Sequence, residues 1–303
     1  MMNKTLLSYI LTIGICAVAG AGTGVILKRT VGPIDETYPP GFNPKNYAAD
    51  IDDIMSRYNA LSDKTINGVR NFSDAEVVNI VLEKYRTQDY CWSISKGNAY
   101  TIITQTIRNA VIKNLDNYFE EQLSNSSIVS LATRSYQTGK GNDIEVYQGN
   151  CSGAEKATYQ STPTKTYSQS KYKDYLGKTL EEMFIYIISD KTTLDSNRVI
   201  KGDDVIINLE LNPNLSTFYY KTQMKNLSGL SNLPPFSEVK LAYTFSKDLI
   251  LKHLYVDETY TATKEGVPVP AETHDIIDTY YHAGEEMNIP AYNESIDYGI
   301  QED

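Results

Sequence analysis

The chain has 303 residues, 41% of them hydrophobic and 22% charged, with a formal net charge of −10. Enough apolar surface is present to bury a core, which excludes a disordered chain. The acidic balance argues against nucleic acid and against flat binding to anionic lipid.

Residues Leu6–Leu27 form an uncharged apolar run, with Lys4 before it and Lys28-Arg29 after it. As a helix it spans roughly 33 Å, enough to cross the ~30 Å hydrocarbon layer of a bilayer. It reads as a signal-anchor helix that stays in the membrane. The rival is a cleaved signal peptide with Ala17-Val18-Ala19 as the processing site, which would release a secreted protein. Continued apolarity through Val25-Ile26-Leu27 favours the anchor. Lipidation at Cys16 is disfavoured, because Ile15 stands where a small residue is needed. Basic residues balance across the run, so the outward orientation of the long C-terminal part follows from the usual behaviour of N-terminal signal segments. Gly20 and Gly24 stand at the G-x-x-x-G spacing of a helix-dimer seam, which makes a homodimer a secondary expectation. Segment 1–29 is thus read as an anchor or signal, and 30–48 as a linker. Pro33, Pro39, Pro40 and Pro44 make that linker semi-extended. An α+β ectodomain is expected over 49–290, and an acidic tail over 291–303.

Ile51, Ile54, Met55, Tyr58 and Leu61 predict a helix over Ala49–Leu61. Its Asp50, Asp52 and Asp53 do not begin an EF-hand loop, since Met55 and Leu61 occupy the positions of the required Gly and Glu. Ser73 and Glu76 form a capping box ahead of a second helix reaching Tyr85. From Asp89 to Thr166 the period changes to two. Turn residues at Lys96-Gly97-Asn98, Asn125-Ser126, Gly139–Asn142 and Gly149-Asn150 divide an antiparallel meander. A helical turn over Ser168–Tyr175 follows, and then a buried strand over Met183–Ile188. A strand over Val205–Leu211 and a helix over Leu215–Leu227 come next. The last meander alternates at Val239, Leu241, Tyr243 and Phe245, continues through Leu249–Thr263, and ends with His274–Ala283.

Cys91 and Cys151 flank the first strand group. With Cys16 in the apolar run, they are the one intradomain pair available for a disulfide outside the cytoplasm. His253, His274 and His282 lack metal-ligand spacing and read as polar strand residues. No catalytic or nucleotide-binding motif occurs, and no metal or cofactor is indicated. With Lys4, Lys28 and Arg29 set aside, 38 acids face 25 bases, a net charge of −13 on the outer part. The 24 tyrosines suit half-buried strand faces and also a partner- or glycan-binding surface.

This order of helix, long antiparallel meander, short helix, strands, helix and final meander resembles the half-open β-barrel of bacterial lipoprotein carriers and related envelope lipoproteins, over Ser73 to Ile289. The resemblance rests on element order and carries no motif residue. It implies a curved antiparallel sheet with a few packed helices, which with the apolar run makes the expected fold α+β, an N-terminal transmembrane helix followed by that half-open barrel. It also implies an apolar ligand held between sheet and helices. Trp92, Ile107, Leu131, Val239, Leu241, Tyr243 and Phe245 are the expected lining residues, weighed against ordinary core. The expected function is binding in the cell envelope. The alternatives are a structural or interaction protein of an envelope assembly and, more distantly, an envelope hydrolase.

Overall fold

The computed structural model describes residues 38–100, 104–126, 130–138, 143–150, 158–159, 165–176, 186–228, 235–264 and 267–290. The apolar run Leu6–Leu27 lies outside the described residues. Among those residues, no helix is long and apolar enough to cross a membrane.

A 3-10 turn (Pro44–Asn46) leads into helix α1 (Tyr47–Asn59), and α2 follows (Asp74–Arg86). The capping box predicted at Ser73 is present in both directions. The Glu76 amide donates to the Ser73 hydroxyl at 3.2 Å, and the Ser73 amide donates to the Glu76 carboxylate at 3.0 Å. Acids in the first turn of α2 and Lys84 and Arg86 in the last complement the helix dipole.

The strands form one antiparallel sheet. They are β1 (Tyr90–Tyr100), β2 (Thr104–Asn114), β3 (Asn117–Ser126), β4 (Ser130–Thr138), β5 (Asp143–Asn150), β6 (Thr158–Tyr159), β7 (Lys165–Ser168), β8 (Thr193–Lys201), β9 (Asp204–Leu211), β10 (Phe236–Ser246), β11 (Leu251–Lys264) and β12 (Val267–Ala283). Their order is β6-β5-β4-β3-β2-β1-β12-β11-β10-β9-β8, with β7 also on β5. The first meander therefore joins the last one through the β1–β12 ladder, from Cys91 opposite Ala283 to Tyr100 opposite His274. Helices α3 (Gln169–Leu176), α4 (Pro213–Ser216) and α5 (Phe218–Ser228) complete the α+β architecture.

One face of the β8–β12 half carries the core. Val205, Ile207, Leu209 and Leu211 of β9 and Val239, Leu241, Tyr243 and Phe245 of β10 form a single apolar cluster with Ile54 and Tyr58 of α1, Val77, Val78, Ile80 and Val81 of α2, and Tyr220 of α5. On the opposite face, Met287 and Ile289 of the segment after β12 cover Ile94, Ala110, Ile112 and Phe119.

Several expectations are corrected. Lys96-Gly97-Asn98 is not a turn, for β1 runs straight through it. A Cβ on Gly97 would stand 2.6 Å from the Ile276 carbonyl oxygen and 3.0 Å from Cγ1 of Ile277, so glycine here serves close strand packing. The real turn is Leu115-Asp116, between the paired Asn114 and Asn117, with Leu115 at φ +53°. Tyr186-Ile187-Ile188 is buried but not in a strand, while 183–185 lie outside the described residues. The helix expected over Leu215–Leu227 is broken at Thr217. Edge strand β8 escaped sequence reading because most of its positions are polar or exposed.

Candidate functional site

The described end of the linker is docked rather than free. Tyr38 sets its ring against Phe42 and Phe218, with centroids 5.5 and 6.0 Å away. The Tyr219 hydroxyl donates to the Pro44 carbonyl at 3.0 Å, and Lys191 Nζ donates to the Gly41 carbonyl at 2.8 Å. Between this segment, α1, α2 and the turn at 187–191 lies a half-open cleft of about 330 Å³. That volume is at the lower end of small-molecule sites.

Asn79 forms the floor. It sits in the middle of the apolar stripe of α2 and is 2% exposed. Its Oδ1 accepts from the Tyr47 hydroxyl at 2.7 Å, and its Nδ2 donates to the Ile188 carbonyl at 2.7 Å. One buried amide therefore ties α1, α2 and the 187–191 turn together.

The walls carry four carboxylates, Asp50, Asp53, Glu76 and Asp190, and two cations, Arg57 and Lys191. Both cations are engaged. Arg57 Nε meets Asp53 at 3.1 Å, its guanidinium also pairs closely with Glu76, and its Cζ lies 4.9 Å from the centre of the Phe72 ring. The hydrogen bond that Arg57 donates to Glu76, then the charges of Glu76 and Asp53, push the Arg57 pKa up despite the opposing effect of burial. Among the described residues, Asp50 and Asp190 take part in no hydrogen bond or ion pair, so the cleft offers surplus acceptor capacity and negative charge.

The expected lining residues are distributed differently. Val239, Leu241, Tyr243 and Phe245 are at most 2% exposed and sit inside the closed core. Ile107 is buried on the same face of the sheet, on β2, at 1% exposure. Trp92 points to the other face and stacks on His282 at 3.7 Å and 18°. Leu131 pairs with Ser124 in the β3–β4 ladder, and its side chain lies outside the described residues. The structure thus groups the β10 set as core and separates Trp92 from it. Sequence reading passed over the cleft because Asp50 and Asp53 fail the calcium-loop pattern and look like helix-dipole partners. The legible clue was Asn79, a polar residue between Val78 and Ile80 on a core-facing helix.

Cys91 is a free, buried thiol whose pKa burial pushes up, while Cys16 and Cys151 lie outside the described residues. The three histidines share the outward face of β11 and β12, each near an acid: His253 with Asp278 at 3.2 Å, His274 with Asp257 at 3.3 Å, and His282 with Glu285 at 3.9 Å. Burial, partly offset by Asp278, pulls the His253 pKa down. No cluster of three metal-ligating side chains occurs among the described residues.

No family model matches the chain, and no curated protein matches it. The crystal structure of an N-terminal dehydratase from the difficidin assembly line overlays with a TM-score of 0.12 at 8% identity, covering 67% of this chain and 81% of that one. So low a similarity carries no argument about fold or activity.

Proposed function

We propose that this chain is a membrane-anchored, extracytoplasmic binding protein of the cell envelope. Leu6–Leu27 holds it in the bilayer, and the sheet with its helices is the half-open barrel of the envelope carriers it resembles. The ligand is a small polar molecule rich in hydrogen-bond donors, such as an amine or a polyol, seated in the cleft over Asn79. The observation that carries this reading is the free acceptor pair Asp50 and Asp190 in a preformed cleft whose own cations are already engaged. Packing of Val239, Leu241, Tyr243 and Phe245 into the core weighs against a lipid between the sheet and α2.

Binding tests follow from the charge. Asp50→Asn with Asp190→Asn removes two exposed carboxylates from the cleft walls and leaves the core intact. Ligand retention on the wild type and its loss on the double variant support the reading. Equal retention on both defeats it. A second reading, docking of an envelope partner, is favoured by the outward aromatic and histidine strip of Trp92, His282, Tyr280 and His253. A protein that co-purifies with the wild type and not with Trp92→Ala would support that alternative.

A further inference from the structure

The inward face of the sheet carries two acids where core residues are expected. Glu258 on β11 and Asp275 on β12 are direct cross-strand partners. Such pairs place their Cβ atoms about 4.5–5.5 Å apart. Glu258 is 1% exposed and Asp275 is not exposed at all. Among the described residues, none of their four carboxyl oxygens has a hydrogen-bond partner. Their neighbours across the sheet are Val239 on β10 and Ala99 on β1, both buried and apolar.

Two carboxylates so placed cannot both ionise without a neutralising charge, because desolvation and mutual repulsion act in the same direction. No cation among the described residues offsets them. Asp257, next in sequence to Glu258 and on the opposite face, adds negative charge to Asp275. On β11 itself the next inward side chain is Tyr260. Helix α5 reaches this end of the sheet through Tyr220, whose ring lies 5.5 Å from that of Phe236, itself 4.8 Å from Tyr260. The same helix carries the buried Lys221 and Gln223. Beyond the pair, the β11–β12 register slips between Thr261 and Thr263, so the outer end of the hairpin is already irregular.

We propose that Glu258 and Asp275 are a proton-operated latch in the β11–β12 hairpin. With protons on the pair, the two strands close over neutral carboxyl groups. Release of those protons to solvent leaves facing carboxylates in the buried interior, and that end of the hairpin loosens. Burial first, and then the neighbouring negative charges, hold both acids well above the ordinary carboxylate range. The folded state therefore binds more protons than the unfolded one from about pH 4 upward. The stability that the protonated pair contributes is complete below that pH and is lost as pH rises through the folded-state values.

The test is thermal unfolding of the full chain in detergent across pH 5–8. One extra proton held by the folded state lowers the midpoint by roughly 3 °C or more per pH unit. Glu258→Gln and Asp275→Asn keep shape and remove the titration, so each should flatten that slope. His253 titrates in the same range with the opposite sign, but it is common to all three proteins, so the difference in slope isolates the pair. Equal slopes in wild type and both variants overturn the latch. So does a calcium-dependent rise in the wild-type midpoint at neutral pH, which would make the pair a cation site. If the variants fail to fold, infrared spectroscopy of the wild type decides. The carbonyl stretch of a protonated carboxylic acid should be present at about pH 5, where ordinary carboxylates are ionised, and fade as pH rises; its absence at about pH 5 refutes the proposal.

Discussion

Replacing Asn79 with alanine should be among the most damaging single changes at the cleft. The substitution removes two hydrogen bonds of 2.7 Å from a side chain that is 2% exposed. The Ile188 carbonyl is left buried without its donor, which costs about 1–3 kcal/mol. The Tyr47 hydroxyl borders the cleft and can turn to water, so its loss is nearer ~1 kcal/mol. Together these give about 2–4 kcal/mol, or roughly 4–16 °C in Tm for a domain of this size. Urea unfolding of Asn79→Ala, Tyr47→Phe and the double variant separates the two bonds. Tyr47→Phe should cost about 1 kcal/mol, and the double variant should cost less than the sum of the singles. A loss below ~0.5 kcal/mol for Asn79→Ala would refute the role of this amide as the tie between α1, α2 and the 187–191 turn.

Other consequences can be checked in parallel. Gly97→Ala should cost about 1–3 kcal/mol, because the new Cβ meets backbone of β12 that cannot yield, whereas a neutral or stabilising effect in a urea melt would contradict the close strand approach. Arg198 reaches Asp74 at 2.7 Å and the Phe72 carbonyl at 3.1 Å, pinning β8 to the start of α2; Arg198→Ala should therefore raise hydrogen exchange in β8 before that in β10. His253 should titrate below the usual ~6.5 by NMR, since burial opposes its charge; the stability it contributes is present above that pH and is lost as pH falls toward the lowered folded-state value. Cys91 should stay unlabelled by a thiol reagent in the native state and react on unfolding without reductant; failure to react then would contradict the free thiol and point to the pairing with Cys151 expected from the sequence.

Much of the fold was legible because periodicity and local chemistry agree there. The capping box at Ser73 and the clean alternation of Val205–Leu211 and Val239–Phe245 both reappear as read. What failed is non-local. Gly97 looked like a turn residue because only the contact from Ile277, across the β1–β12 ladder, explains it. That ladder joins segments far apart in sequence and leaves no local signal. The docking of the linker on α5, which builds one wall of the cleft, is equally invisible to periodicity. Glu258 and Asp275 were within reach: counting back by twos from Val256's strand partner Ile277 puts Asp275 inward, and counting forward from Val256 puts Glu258 inward. An acid in phase with a core stripe is the sequence signal of such a pair.

Native mass spectrometry of the intact chain, extracted from membranes in detergent, tests the central claim most directly. The account predicts that the chain leaves the membrane fraction only with detergent. It should carry a small polar adduct of constant mass, which Asp50→Asn with Asp190→Asn loses without unfolding. A chain recovered without detergent while still carrying residues 1–30, and showing the same bare mass in wild type and variant, would contradict it.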